Sequence, residues 1–248
     1  MGIGTLSPLS LADERAGEVL RLRREIGRMQ RRRSEERLLP VPPALEPVLP
    51  GGGLLAGAVY SISPSLSLVF ALMSAASHRG SWCAAIGMPD LGIEAAAATG
   101  IDLSRLVLVP DPGPRWLAVV SALAEIVPLI AVHPSAPPRD AEAARLAARL
   151  RDRGSTVLAT SSWPQGEGLI SIHDPQWEGI GTGWGLLSDR LVTVTAQTRT
   201  RPRPQSVRVQ LPGRGGGVDQ APAAALRDAE APEQEGLIAL PARWAEAG

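Results

Sequence analysis

Three serines, Ser63, Ser65 and Ser67, sit in a short loop between the apolar run GAVYSI and the long apolar segment SLVFALMSAASHR. Strand, tight loop and helix in that order form the layout that cradles phosphate, with backbone N–H groups and the helix N-terminus facing the anion. A working loop of this kind also needs glycines for close approach, a Lys ammonium for the β and γ oxygens, and a hydroxyl for magnesium. Only the hydroxyl of Ser67 can be argued here. Pro64 removes one donor and Leu66 puts apolar bulk beside the charge. No Lys occurs anywhere in the chain, and no Arg lies between Gly51 and Arg79.

The partner positions are altered too. A strand ending in Asp or Glu normally holds the magnesium, and a second carboxylate polarises the attacking water. The strand LIAV instead runs into His133 and Pro134, and imidazole is a poor ligand for a hard, oxygen-seeking ion. Asp90 follows the strand CAAIG, where it could reach the water-activating position or simply cap the next helix. His78, His133 and His173 lack zinc-ligand spacing. Ser63, Ser65, Ser67, Asp90 and His133 are thus read as remnants of a nucleotide site, with no catalytic residue, cofactor or metal expected.

The elements that would carry these residues alternate. From Leu54 onward, short continuously apolar runs (GAVYSI, SWCAAIGM, LVLVP, PLIAVHP, STVLATS) alternate with helical segments (SLVFALMSAASHR, GIEAAAATG, PRWLAVVSALAEI, PRDAEAARLAARLRDRG). Strands without apolar–polar alternation are covered on both faces, which predicts a mostly parallel α/β sheet flanked by helices. After Trp163 the texture becomes period-two, in LISIHDPQWEGI, RLVTVTAQTRT and QSVRVQL, and predicts antiparallel strands at one edge. Trp82 and Trp184 lack basic neighbours and are read as packing residues. Stacking platforms for single-stranded bases remain an alternative for the tryptophans.

Four parts are expected: 1–39 as an N-terminal amphipathic helix, 40–53 as a Pro/Gly linker, 54–213 as the core, and 214–248 as a low-complexity, disordered tail. In the first part Leu11, Val19, Leu22, Ile26 and Met29 make an apolar stripe behind the cap Ser10. Its other face carries Arg15, Arg21, Arg24, Arg28, Arg31, Arg32 and Arg33, either a solvated surface or a docking face. The linker owes its extended reading to Pro40, Pro42, Pro43, Pro47 and Pro50 followed by three glycines. Leu237, Ile238, Leu240 and Trp244 near the end of the tail either fold back or anchor a partner.

Twenty-five basic residues, all Arg, balance 25 acidic ones, so no global field draws the chain to nucleic acid or anionic membrane. Any such attraction must be local. The single cysteine, Cys83, sits in an apolar run and reads as a small buried hydrophobe in a reducing compartment. With no signal-peptide pattern and no run of eighteen apolar residues, a cytoplasmic protein is expected.

The order of elements resembles the RecA family, over about 160 residues from Leu49 to Leu211. LPGGGL, GSWCAAIGMPDLG and GIDLSRLVLVPDPGPRW are most similar to the actinobacterial ImuA-type proteins, RecA-like companions of the Y-family-like protein ImuB. The resemblance implies a RecA-like core and a role in the SOS response: damage-induced mutagenesis by translesion synthesis, with ImuB, an error-prone C-family DNA polymerase and possible contact with RecA as partners. It also implies nucleoid association when DNA is damaged. Where RecA has room for mobile DNA-binding loops, this chain has only the turns SAPPRD and SWPQGEG. The expectation is a non-catalytic adaptor. Arg28, Arg31, Arg32, Arg33, Leu237, Ile238, Leu240 and Trp244 are its candidate partner contacts. The alternative is an ATPase or DNA-binding protein with an unconventional site, built on Ser67, Asp90 and an Arg from elsewhere, or binding DNA through Arg31 to Arg33.

Overall fold

Four-residue apolar runs with no alternation can be stable only when other layers cover both faces, and a computed structural model of the protein has that arrangement. It describes residues 38–178, 189–213 and 215–222. The helix expected over 10–33, with Arg28, Arg31, Arg32 and Arg33, lies outside the described residues. So do Trp184, Leu237, Ile238, Leu240 and Trp244.

In chain order the elements are β1 (Leu38–Pro40), β2 (Gly53–Leu55), β3 (Val59–Ile62), α1 (Leu66–His78), β4 (Cys83–Ile86), α2 (Ile93–Ala98), β5 (Leu106–Val109) and α3 (Trp116–Leu123). There follow β6 (Leu129–Val132), α4 (Asp140–Arg153), β7 (Thr156–Ala159), β8 (Gly168–Glu178), β9 (Asp189–Thr198), β10 (Gln205–Gln210) and β11 (Asp219–Gln220). Nine strands form one sheet in the order β11-β10-β9-β8-β3-β7-β6-β4-β5, and β1 pairs with β2 in a separate antiparallel ribbon. The strands from β8 to β5 are parallel, whereas β9, β10 and β11 extend the β8 side antiparallel. The α/β class and an antiparallel edge agree with the sequence pattern, with two exceptions. LISIHDPQWEGI, grouped there with the antiparallel strands, supplies β8, which runs parallel to β3 and antiparallel only to β9. β11 and the buried Ala221 lie in the stretch from 214 read as a disordered tail.

Side chains on successive strand residues go to opposite layers. Cys83, Ala85, Leu129, Ala131, Tyr60 and Leu158 meet Leu68, Phe70, Leu72 and Met73 of α1 on one face. Ala84, Ile86, Ile130, Val132, Val157 and Ala159 meet Trp116 and Val120 of α3 and Leu146 and Leu150 of α4 on the other. Trp116 and Trp163 close the second layer edge to face, with ring centroids 6.0 Å apart and planes at 82°.

The segment read as a linker is instead part of the first layer. Val41, Ala44, Leu45, Val48 and Leu49 are all buried, in one cluster with Leu68 of α1 and Val192, Val194 and Val209 of the antiparallel strands. Its prolines do prevent an α-helix, but two 3-10 turns, Glu46–Val48 and Pro50–Gly52, tolerate them and keep the apolar side chains inward. Gly53 is required where the segment turns into β2, because a Cβ there would lie 2.7 Å from the carbonyl oxygen of Leu39. Trp82 is a further correction: it immediately precedes β4 and is 48% exposed.

These contacts make residues 41–49 a structural part of the domain. Leu45→Ala is expected to lower the stability of the full chain by about 2–4 kcal/mol, seen as a lower urea midpoint. A true linker residue would leave the midpoint unchanged.

Candidate functional site

The carboxyl ends of parallel strands are where open α/β sheets take ligands. Here the loops after β3, β4, β6 and β7 surround a cleft of about 280 Å³, lined by Pro64, Ser65, Leu66, Gly87, Met88, Pro89, Asp90, Leu91, His133 and Thr160. Ser65, Asp90 and His133 therefore do come together. Gly87 makes the approach possible: its φ is +71°, and a Cβ would collide with the carbonyl oxygen of His133.

The three serines do structural work. Only Ser63, Pro64 and Ser65 separate the end of β3 from the start of α1, too short a loop to wrap around a phosphate chain. Ser63 Oγ accepts from the Ile172 N–H at 3.2 Å and ties the loop to β8. Ser65 is the N-cap of α1 and accepts from the Leu68 N–H at 3.4 Å. Ser67, the residue with magnesium-binding potential, is not among the cleft-lining residues; its Oγ lies 3.0 Å from Ser65 Oγ and accepts a hydrogen bond from Arg190 Nη2 at 2.6 Å. The same guanidinium donates through Nε to the Leu211 carbonyl at 2.7 Å and lies 5.2 Å from the Trp177 ring centroid. Burial lowers the pKa of Arg190 from its usual value.

Asp90 is exposed and does not cap a helix: the N-cap of α2 is Gly92, with no side-chain cap bond. His133 directly follows β6, and its Nδ1 lies 2.7 Å from Oγ1 of Thr160, which directly follows β7. One hydroxyl can serve this pair, with Thr160 donating to the imidazole or accepting from it. The lining thus offers one carboxylate, one imidazole and two hydroxyls among apolar residues, with no cationic side chain. No group of three or more His, Cys, Asp or Glu side chains is placed to hold a metal among the described residues. The described helices also include none long and apolar enough to cross a membrane.

Residues 47–165 match the family described as MT3502 N-terminal domain. Over 127 residues the chain is also 31% identical to "Uncharacterized protein Rv3395c" of Mycobacterium tuberculosis (strain ATCC 25618 / H37Rv). That stretch covers 51% of this chain and 56% of that protein, so the chain spans about half the length of the curated relative it matches. Every residue lining the cleft falls inside the matched family region, and the 3-10 segment begins it. Arg190, which engages Ser67, lies outside it.

Arg190 is the residue that the sequence pattern did not single out. It lies 123 positions from Ser67, and β9, separated from β3 by β8 alone, carries it into place. Replacing Ser67 by Ala removes an acceptor from a partly buried guanidinium, so Ser67→Ala is expected to cost about 1–2 kcal/mol in urea unfolding. If Ser67 were a free site residue, stability would not change.

Cys83 is fully buried, and burial pushes its thiol up to about 12 while a hydrogen bond with Ser77 pulls the other way. The unfolded thiol ionises near ~8.5, so the folded chain retains a proton that the unfolded chain releases. The stabilising contribution is full below about pH 8.5 and falls as pH rises toward about 12. At about pH 8 a disulfide reagent should leave the native thiol untouched and label it once urea unfolds the chain. Rapid native labelling would contradict the burial.

Proposed function

We propose that the chain is a non-catalytic, ImuA-type RecA-like adaptor in damage-induced translesion DNA synthesis and mutagenesis. It docks a Y-family-like, ImuB-type protein and supports an error-prone C-family polymerase, with RecA as a further partner. The working location is the cytoplasm, at the nucleoid when DNA is damaged. One observation carries the reading: the hydroxyl that a nucleotide site would give to magnesium is held by Arg190, beside a short Pro64-containing loop in a chain with no Lys. The strand and helix on either side of that loop are buried in the core, so they are needed for folding whether or not phosphate binds. The likeness to the MT3502 N-terminal domain is compatible with this reading.

Arg190 also supports the second reading, in which an arginine from elsewhere in the chain serves an unconventional nucleotide site. The two readings differ in one titration. With a fluorescent ATP analogue and magnesium, the adaptor gives no saturable micromolar binding and no turnover, whereas binding with turnover would replace it by the ATPase.

The partner test is co-expression of the full chain with an ImuB-type protein, alongside deletions of 1–40 and of 214–248. Co-purification with the full chain is expected. The 1–40 deletion also removes β1, so it is read together with Arg28, Arg31, Arg32 and Arg33 changed to Ala in the intact chain. If no form co-purifies, the adaptor reading fails.

A further inference from the structure

The zero net charge of the chain leaves room for a local basic patch. At the amino end of the parallel strands several arginines are matched by carboxylates: Arg105 Nε lies 3.5 Å from Asp102, and Arg153 Nη2 lies 2.6 Å from Glu125. The turn between β9 and β10 differs. It reads Arg199-Thr200-Arg201-Pro202-Arg203-Pro204, belongs to no helix, and exposes all three arginines at the same end of the sheet.

Its backbone is fixed. The Thr198 N–H donates to the Arg201 carbonyl at 3.1 Å, and the Arg201 N–H donates to Thr198 Oγ1 at 3.1 Å. Gln197 Nε2 donates to the Pro202 carbonyl at 2.8 Å, and Gln205 Nε2 to the Arg203 and Pro204 carbonyls at 3.3 and 3.2 Å. Two carboxylates are nearby. Glu167 interacts electrostatically with Arg199, and Glu46 lies on the 3-10 turn whose Pro47 carbonyl meets Arg201 Nη1 at 3.5 Å. Arg201 and Arg203 make no ion pair among the described residues, so they carry the argument.

We propose that this arginine–proline hairpin is a docking site for the phosphate backbone of nucleic acid, independent of the cleft and of the adaptor reading. Guanidinium groups match phosphate oxygens through two parallel N–H bonds, and a rigid turn reduces the ordering needed on contact. A protein partner fits less well, because protein interfaces are anchored by buried aromatic and apolar residues and residues 199–206 contain none beyond Pro. Backbone contacts of this kind position a strand without reading its sequence.

The test uses the full chain and a short fluorescein-labelled DNA duplex, with affinity measured as a function of salt. Removing two phosphate contacts lowers the slope of log affinity against log salt by about 2, so Arg201→Ala with Arg203→Ala should show that loss with an unchanged urea midpoint. Lysine at both positions should restore the slope. Four results would overturn the proposal: no binding by the full chain at low salt, an unchanged slope in the alanine variant, loss of slope only when Arg31, Arg32 and Arg33 are replaced, or poly-glutamate competing as well as DNA at equal charge. The last result would assign the hairpin to an acidic protein instead.

Discussion

Burial on both faces of the parallel strands is the constraint from which the rest of the architecture follows. Leu129, Ile130, Ala131 and Val132 of β6 have no exposed side, so one layer must be supplied by α1 and the other by α3 and α4. Beyond β8 the strands have only one apolar face, and residues 41–49 cover it in place of a helix. The covering layers also fix where loops can emerge. The cleft lies where the loops after β3, β4, β6 and β7 leave the sheet at one end, with nothing among the described residues packed over them.

That geometry separates two things that sequence motifs tend to combine. A strand–loop–helix unit can be retained because its apolar side chains complete a core, while the polar groups of its loop go to other uses. In this chain Ser63 secures β8, Ser65 caps α1 and Ser67 anchors Arg190. Hydroxyls suit such reassignment because each can donate and accept.

Periodicity made the sheet legible. Continuous apolar runs identified the parallel strands, and two-residue alternation in β9 and β10 identified the edge. Residues 40–53 were misread because a cluster of prolines signals extended chain locally, whereas Val41, Leu45 and Leu49 find a surface to bury against that is distant in sequence. Trp82 was misread for the converse reason: its residue type favours burial, but its place just before β4 puts it outside both layers. The cleft was half legible. His133 and Asp90 follow apolar strands and could be placed from that alone, while the Asp90 cap failed because Gly92 takes the position. No local pattern could join Ser67 to Arg190, since that contact depends on the order of strands β3, β8 and β9.

The Arg190 bridge also limits how such a loop could change. A lysine introduced near the start of α1 would meet a guanidinium already bonded to Ser67 and to the Leu211 carbonyl, and two cations would then crowd one helix N-terminus. Relieving that repulsion requires a second change at β9, which in turn leaves the Leu211 carbonyl without its donor and Trp177 without its cation. A lysine in this loop therefore calls for a paired change at β9, and introduced alone it works against the fold.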